Sequence, residues 1–440
     1  MTRKGLLLFW LLVLPFMNAP LLNANLFDVT GMKPVNLLAA TAFFVLLTGK
    51  RTFRWTDDIE RAALGLLVLY VGAYSLTFFR SIGNLSTFHA ELPEIYPASA
   101  ANYVLSFYVR PLAEIVPFVF ILKEMRSSED IEAVMKTMGF SYFLLSLFFL
   151  YVVLIASPSA LGADRNLMTA TTNAYLGMHY NDLATVYFSA GGLLAFLAIR
   201  LGGLWSINLL LALVAVLLLQ SRTGLITMGL AVAAVLVIFR RIDLVLAGIG
   251  VVAIVSAIKV APTLESLGRT GLYGSHFTLD TLLTGRESAA WIPLTTEWFA
   301  DWKLFLFGAG SFGMMTSPLW HMGTILQAGQ AHNAFIDFFL NDGILLLVGL
   351  LVLLTLLLRR AYRFGRRLKS RLYWSLLVCP LAYLLGTVTG EQIFPSYMNM
   401  LIYPLLALLL NVSRRGTQQE ATPRAVPSAR PSAVPQPAIA

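Results

Sequence analysis

Two arginines and one histidine are of the types that bind and process a phosphate-bearing substrate. Arg222 lies in a short Ser-Arg-Thr-Gly turn between two apolar runs, and Arg286 follows Thr284-Gly285. A guanidinium group is a planar fork of donors that matches phosphate oxygens. His332 opens a later apolar run, and an imidazole is easily tuned to accept a proton near neutral pH. These residue types therefore suit phosphate binding combined with proton transfer.

Each of these residues also has a structural explanation. Arg222 has the features of an interfacial arginine whose guanidinium reaches water along the lipid boundary. Arg286 precedes a helical pattern, as a solvated arginine beside an amphipathic surface helix would. A lone histidine at a helix start, such as His332, commonly binds the neighbouring backbone. From the residues alone, both explanations stay open.

Further polar residues are weaker candidates. Asn333 either orients an acceptor or caps the helix that follows. Arg165 lies in a polar connection, where it either adds to a phosphate site or is solvated. Arg110 and Glu114 have the spacing of a helical ion pair, which is either a lock between helices or part of a substrate groove.

Metal or nucleotide chemistry is not expected. The remaining histidines, His89, His179, His276 and His321, have no ligand spacing and no accompanying acidic cluster. Cys379 is the single cysteine and lies within an apolar run, which excludes a disulfide framework and argues against a thiolate metal site. No GxxxxGK[ST] loop occurs in the sequence. We therefore predict neither a metal site nor a cofactor.

The composition is that of a chain that lies in lipid. Of the 440 residues, 58% are hydrophobic and 12% are charged, and an average soluble domain has about twice that charged fraction. The formal net charge of +9 would suit nucleic acid, but the basic residues cluster between apolar runs, where they act as topology signals. We predict an all-α integral membrane protein that binds no nucleic acid.

About twelve apolar runs approach the length of roughly 20 residues that a helix needs to cross the hydrocarbon core. They are residues 5–24, 34–49, 62–79, 101–122, 138–157, 180–200, 203–220, 223–239, 243–260, 332–358, 373–390 and 394–412. Residues 1–260 are thus predicted to hold transmembrane helices one to nine, and residues 332–412 helices ten to twelve. Residues 413–440, rich in Pro, Ala, Ser and Gln, are expected to form a disordered cytoplasmic tail.

The basic residues predict the orientation of these helices. With a cytoplasmic N-terminus, every dense basic cluster falls on the cytoplasmic side, as the positive-inside rule requires. The clusters lie around residues 50–61, 123–136, 240–241, 359–371 and 414–415. Arg222 and Arg286 then lie on the outer side, where a guanidinium usually has an anionic partner.

The largest segment outside the apolar runs is an outer insertion at residues 261–331, between helices nine and ten. Within it, Trp291, Leu294, Trp298 and Trp302 recur at helical spacing. Aromatic residues of this kind favour the headgroup layer, so the pattern predicts a helix that lies on the outer membrane surface.

Three short stretches contain these candidates together with glycine-rich sequence. They are Ser221-Arg222, then Thr284-Gly285-Arg286 with Trp291 and Gly308-Ala309-Gly310-Ser311-Phe312, and finally His332-Asn333 followed after nine residues by Gly343. In order and spacing they resemble the Ser-Arg, Gly-Arg and His-Asn elements of the O-antigen ligase and polymerase superfamily. The resemblance covers roughly residues 180–412. It departs three positions after Gly343, where the family often has a second small residue and this chain has Leu346, and we interpret that position as a packing position.

The resemblance implies a multi-pass glycosyltransferase of the bacterial inner membrane whose active site faces the periplasm. Such enzymes take a glycan from undecaprenyl pyrophosphate, need neither nucleotide nor metal, and invert the anomeric centre. In that reaction Arg222 and Arg286 would neutralise the departing pyrophosphate, and His332 would take the proton of the acceptor hydroxyl. The outer insertion at residues 261–331 would be a periplasmic loop.

The acceptor distinguishes the alternatives within the family. A ligase transfers the glycan to lipid A–core, a polymerase to another lipid-linked repeat unit, and related enzymes to proteins. The outer-face arginines and the large outer insertion favour the ligase, whose partners would be the lipid-linked donor, lipid A–core and membrane lipid. A transporter or flippase is the alternative from another class, and Arg110 with Glu114 is the feature that favours it.

Overall fold

The computed structural model describes residues 2–16, 19–24, 33–48, 57–91, 99–104, 108–109, 112, 115–160, 165–219, 221–246, 291–310, 315, 317–321, 333–368, 370–388 and 399–421. Over these residues the chain is mostly helical, and no β-strand occurs among them. The predicted all-α class is therefore confirmed for this part of the chain. Most of predicted helix nine, residues 247–260, lies outside it.

The described ranges consist mainly of α-helices, numbered in chain order. The first are α1 (Arg3–Val13), α2 (Pro20–Asn23), α3 (Pro34–Leu47), α4 (Asp58–Ser81), α5 (Leu85–Glu91), α6 (Ala100–Val104), α7 (Val116–Glu124), α8 (Ser128–Tyr151) and α9 (Arg165–Leu176). The later ones are α10 (Tyr180–Leu201), α11 (Leu204–Leu218), α12 (Arg222–Ile238), α13 (Ile292–Ala300), α14 (Trp302–Phe307), α15 (Pro318–His321), α16 (Ala334–Arg367), α17 (Arg371–Thr387) and α18 (Asn399–Ala421). Polar side chains cap the amino ends of several helices. At the start of α8, Ser127 and Asp130 form a capping box.

Among the residues that the structure describes, four helical stretches are long and apolar enough to cross a membrane. They are Asp58–Ala90, Ser128–Ala156, Tyr180–Leu201 and Ala334–Arg367. Large apolar side chains face outwards, among them Ile155, which is 68% exposed, and Ile226, which is 64% exposed. Apolar surface of this extent suits a chain that is associated with a membrane.

Small residues allow α10 to pack closely on two neighbours. A Cβ on Gly192 would overlap the backbone oxygen of Ser375 in α17. A Cβ on Gly224 of α12 would lie 2.8 Å from the Cβ of Ala184 in α10. The starts of α10 and α12 therefore lie side by side.

A buried ionic cluster joins α4, α7 and α18. The carboxylate of Glu60 is fully buried and pairs with the buried ammonium of Lys123. It also accepts from Arg414 at 3.2 Å and from Arg126 at 3.4 Å. A buried carboxylate needs such partners, because removing charge from water is costly.

Other basic residues lie at the same end of the bundle. Arg3 of α1 pairs with Glu124 of α7 at 3.7 Å. Arg360 of α16 donates to the backbone oxygen of Asp58 in α4 at 3.3 Å. We call this the basic end, defined by Glu60, Arg360 and their partners. Basic clusters that the sequence predicted to share one side thus meet in space.

The helix boundaries differ from the apolar runs at several points along the described residues. The first run, 5–24, gives α1 and then a 3₁₀ turn around Pro15, which has no backbone N–H to continue the helix. The connection 158–179 contains α9, whose Thr- and Asn-rich sequence gave no apolar pattern. At the other terminus, α18 continues to Ala421, into the segment predicted to be a disordered tail.

Candidate active site

The glycine-rich element Gly308-Ala309-Gly310 docks on the long helix α16. The N–H of Ala309 donates to the carbonyl of Leu340 at 2.8 Å, and the N–H of Gly310 donates to that of Asn341 at 3.0 Å. Gly308 and Gly310 have φ values of 64° and 98°, a region that favours glycine. The second and third stretches of the family resemblance are thus joined through their backbones.

Gly343 breaks α16 where this element docks. Its φ of 79° and ψ of 172° are not helical. A Cβ at this position would overlap the carbonyl of Leu306 in α14. The sequence predicted one uninterrupted helix over residues 332–358. The structure corrects this, because the approach of the α14 backbone requires both the break and the glycine.

Side chains of α4 attach this assembly to the bundle. The guanidinium of Arg80 donates to the carbonyls of Phe307 and Gly308, at 2.6 and 2.7 Å. These carbonyls end α14, where a cation is favourable. The hydroxyl of Thr77 donates to the buried carboxylate of Asp342, the residue before the break. The docked element is therefore held by side chains as well as by backbone.

The predicted surface helix of the insertion is two helices. Leu294 and Trp298 of α13 are buried against the first part of α16. The indole N–H of Trp298 donates to the carbonyl of Leu340 at 2.9 Å. The helical spacing of the aromatic residues stops at Asp301, because Asp301 caps the new helix α14. Trp302 is therefore 63% exposed and does not lie on the buried face of Leu294 and Trp298. Most of the predicted aromatic face thus packs inside the protein.

Asn333 caps the start of α16. Its side-chain oxygen accepts from the N–H of Phe335 at 3.0 Å and of Ile336 at 3.2 Å. Of the two roles predicted for Asn333, the structure therefore contains the cap. Asp337, one turn later on the same helix, is also buried.

Arg222 is the first residue of α12. The hydroxyl of Ser221 caps this helix by accepting from the N–H of Gly224 at 3.2 Å. The Ser-Arg element thus places an arginine at a helix amino end, where the helix dipole already favours an anion.

Several predicted site residues lie outside the described part of the chain. They are Arg286, His332, Arg110 and Glu114, together with the side chains of Arg165 and Arg222. The backbone of Arg165 begins α9. The structure therefore positions the elements that carry the predicted residues: the start of α12, the segment after Arg286, and the start of α16.

These elements lie at the end of the bundle opposite the basic end. Helix α16 begins after Asn333 and reaches the basic end at Arg360. Helix α12 begins at Arg222 and ends near Arg240, which shares a cavity with Arg366 of the last turn of α16. We call the opposite end the site end, defined by Ser221, the glycine-rich element and Gly343.

His179 has a structural role at the start of α10. Its Nδ1 accepts from the N–H of Asn181 at 3.2 Å, which caps α10, and its Nε2 lies 3.3 Å from the hydroxyl of Thr169. Within the described ranges, no three His, Cys, Asp or Glu side chains are grouped so as to hold a metal.

Sequence reasoning missed Arg80 and Asp342. Arg80 follows an apolar run, so its charge looked like an ordinary boundary residue. Asp342 did carry a signal, because an acidic residue inside a long apolar run is a functional candidate in itself.

No protein-family model and no curated protein sequence matches this chain. The family resemblance consequently depends on the three stretches of sequence alone.

Proposed function

We propose that the protein is a glycosyltransferase of the O-antigen ligase type with about twelve transmembrane helices in the bacterial inner membrane. It transfers a glycan from undecaprenyl pyrophosphate to lipid A–core. The site end faces the periplasm and the basic end faces the cytoplasm. The positive-inside rule supports this orientation, since the basic clusters meet at the end opposite the site elements.

The proposal is supported by the described parts of the three stretches, which belong to elements at the end of the bundle opposite the basic end. Ser221-Arg222 begins α12 there, and Asn333 begins α16 there. The glycine-rich element that follows Arg286 is bonded to α16 itself. A catalytic constellation assembled from separate helices requires this kind of convergence.

In the proposed reaction an acceptor hydroxyl attacks the anomeric carbon of the donor while the bond to the pyrophosphate oxygen breaks. Arg222 and Arg286 neutralise the charge that develops on the pyrophosphate, and losing one such donor typically raises the barrier by about 3–4 kcal/mol. His332 accepts the hydroxyl proton, which contributes roughly 10²–10⁴ in rate. Attack opposite the leaving group inverts the anomeric centre.

The test is complementation of a deletion strain with His332→Ala, using His89→Ala as the matched control. We expect the His332→Ala variant to reach the membrane at the wild-type level and to give no glycan-capped lipopolysaccharide on a gel, because the acceptor hydroxyl keeps its proton. His89→Ala should restore capping. Normal capping by His332→Ala contradicts the assignment.

The products of the same deletion strain identify the acceptor. Loss of a ligase leaves lipid-linked polymer, whereas loss of a polymerase leaves core with a single repeat unit. Glycan transfer by the purified protein in detergent, without any vesicle compartment, excludes a transporter.

A further inference from the structure

An open cavity of about 440 Å³ lies at the basic end, between the ends of α12 and α16 and the start of α17. Its lining residues are Ile238, Arg240, Arg366, Arg371 and Trp374. Three of these five are arginines, and each comes from a different helix end. The fold thus brings three positive charges to one concave surface.

Aromatic rings orient two of these arginines. The guanidinium of Arg371 lies over the ring of Phe239, 5.0 Å from its centroid, and that of Arg366 lies 5.9 Å from the centroid of Tyr362. A ring against the flat face of a guanidinium leaves the N–H edge available for another partner. The rings therefore hold these arginines in orientations that suit a ligand.

The three arginines have no carboxylate partner in the described part of the chain. Asp243, which follows α12, pairs with Arg241 at 3.1 Å instead. Three neighbouring cations repel one another, and an anion between them removes that repulsion.

A close helix contact sets the geometry of the cavity. Gly365, beside Arg366, faces the buried ring of Tyr373 in α17, and a Cβ on Gly365 would overlap that ring. Only glycine lets α16 and α17 approach so closely here. This contact brings Arg366 beside Arg371.

The positive-inside rule explains how many basic residues lie at the basic end, but it does not explain why three of them line one cavity. Arg359 and Arg363 of α16 satisfy the rule equally well and do not line the cavity. We propose that the cavity binds the phosphate group of an anionic membrane phospholipid.

A lipid is the source of phosphate that fits the surroundings. Trp374 and Ile238 give the cavity an apolar part, and the neighbouring Val237 is 55% exposed. Indole rings and basic side chains together are typical of sites at the membrane–water boundary. A free phosphate ion would use the arginines alone.

The test measures lipid binding to the full-length protein purified and delipidated in detergent. Cardiolipin is the anionic probe, phosphatidylcholine the neutral one, and inorganic phosphate the lipid-free one. The cavity variant is Arg366→Gln with Arg371→Gln, and the control with equal charge loss is Arg359→Gln with Arg363→Gln. Bound lipid is counted by native mass spectrometry, and the apparent Kd is taken from thermal stabilisation.

We expect cardiolipin to bind the wild-type protein. The cavity variant should bind it about thirtyfold more weakly, because two basic charges near a lipid phosphate supply that much affinity. The control should stay within about threefold of wild type, because a built site is local. Gly365→Ala, which keeps every charge, should also weaken binding. Equal weakening by cavity and control variants would show diffuse attraction and overturn the proposal. Stabilisation by inorganic phosphate equal to that by cardiolipin would overturn the lipid source.

Discussion

Arg80 contacts the candidate site through backbone carbonyls, and its partners lie 227 and 228 residues away in sequence. Nothing local distinguishes it from a charge that ends an apolar run. Asn333 is the opposite case, because a helix cap was one of the two roles that its position near the start of an apolar run predicted, and the structure contains that cap. At the scale of residues, sequence reasoning succeeds where the partner is a near neighbour. Distant partners depend on the fold.

Arg80→Gln should lower kcat for glycan transfer by about 10–100-fold, since a displacement of about 1 Å in a positioning element costs about 10² in rate. KM for the donor should change less, because Arg80 is a positioning residue. Arg80→Lys should restore part of the activity, as one ammonium can reach one of the two carbonyls. Arg61→Gln, which removes an exposed pair with Asp58, is the control. A wild-type kcat for Arg80→Gln would show that the docked element needs no such anchor.

At the scale of helices, some sequence patterns predict the structure better than others. The apolar runs at 180–200 and 203–220 correspond closely to α10 and α11, because apolar runs of this length exceed a strand and predict a helix. The aromatic pattern of the insertion was extended through Asp301, although an aspartate is a good cap for a new helix. The break at Gly343 had no local signal, since its cause is the backbone of α14.

Gly343→Ala should destabilise the protein by roughly 1–3 kcal/mol, because a side chain there is strained at positive φ and overlaps Leu306. Transfer activity should fall with it. Gly349→Ala is the matched control on the same helix, where a Cβ would meet only Leu69, at 3.7 Å. The measurement is the apparent midpoint of thermal unfolding in detergent. Equal midpoints for the two variants would contradict a required break.

At the scale of the molecule, charge parity predicted which basic clusters share a side. The structure brings those clusters to one end. These contacts agree with a shared end for the clusters, and the side of the membrane that this end faces stays a prediction. The burial of Glu60 among Lys123 and Arg414 could not be predicted in the same way, because it joins three helices that are distant in sequence.

Glu60→Gln should lower the apparent midpoint of unfolding strongly, because it leaves buried cations without their shared carboxylate, a loss of about 3–5 kcal/mol for one partner of a buried pair. Glu132→Gln removes a carboxylate of the same type from an exposed pair with Lys136 and should leave the midpoint unchanged. Indistinguishable midpoints would show that the cluster does not hold these helices together.

The most direct test of the central claim is glycan transfer by purified protein in detergent, with a lipid-linked glycan as donor and lipid A–core as acceptor. Arg222→Ala and Arg286→Ala should each lower kcat by about 10²–10³, because each removes a cation from the developing pyrophosphate charge. Arg363→Gln, which removes a cation at the basic end, should transfer like wild type. Full activity of both site variants would contradict the proposed transfer site.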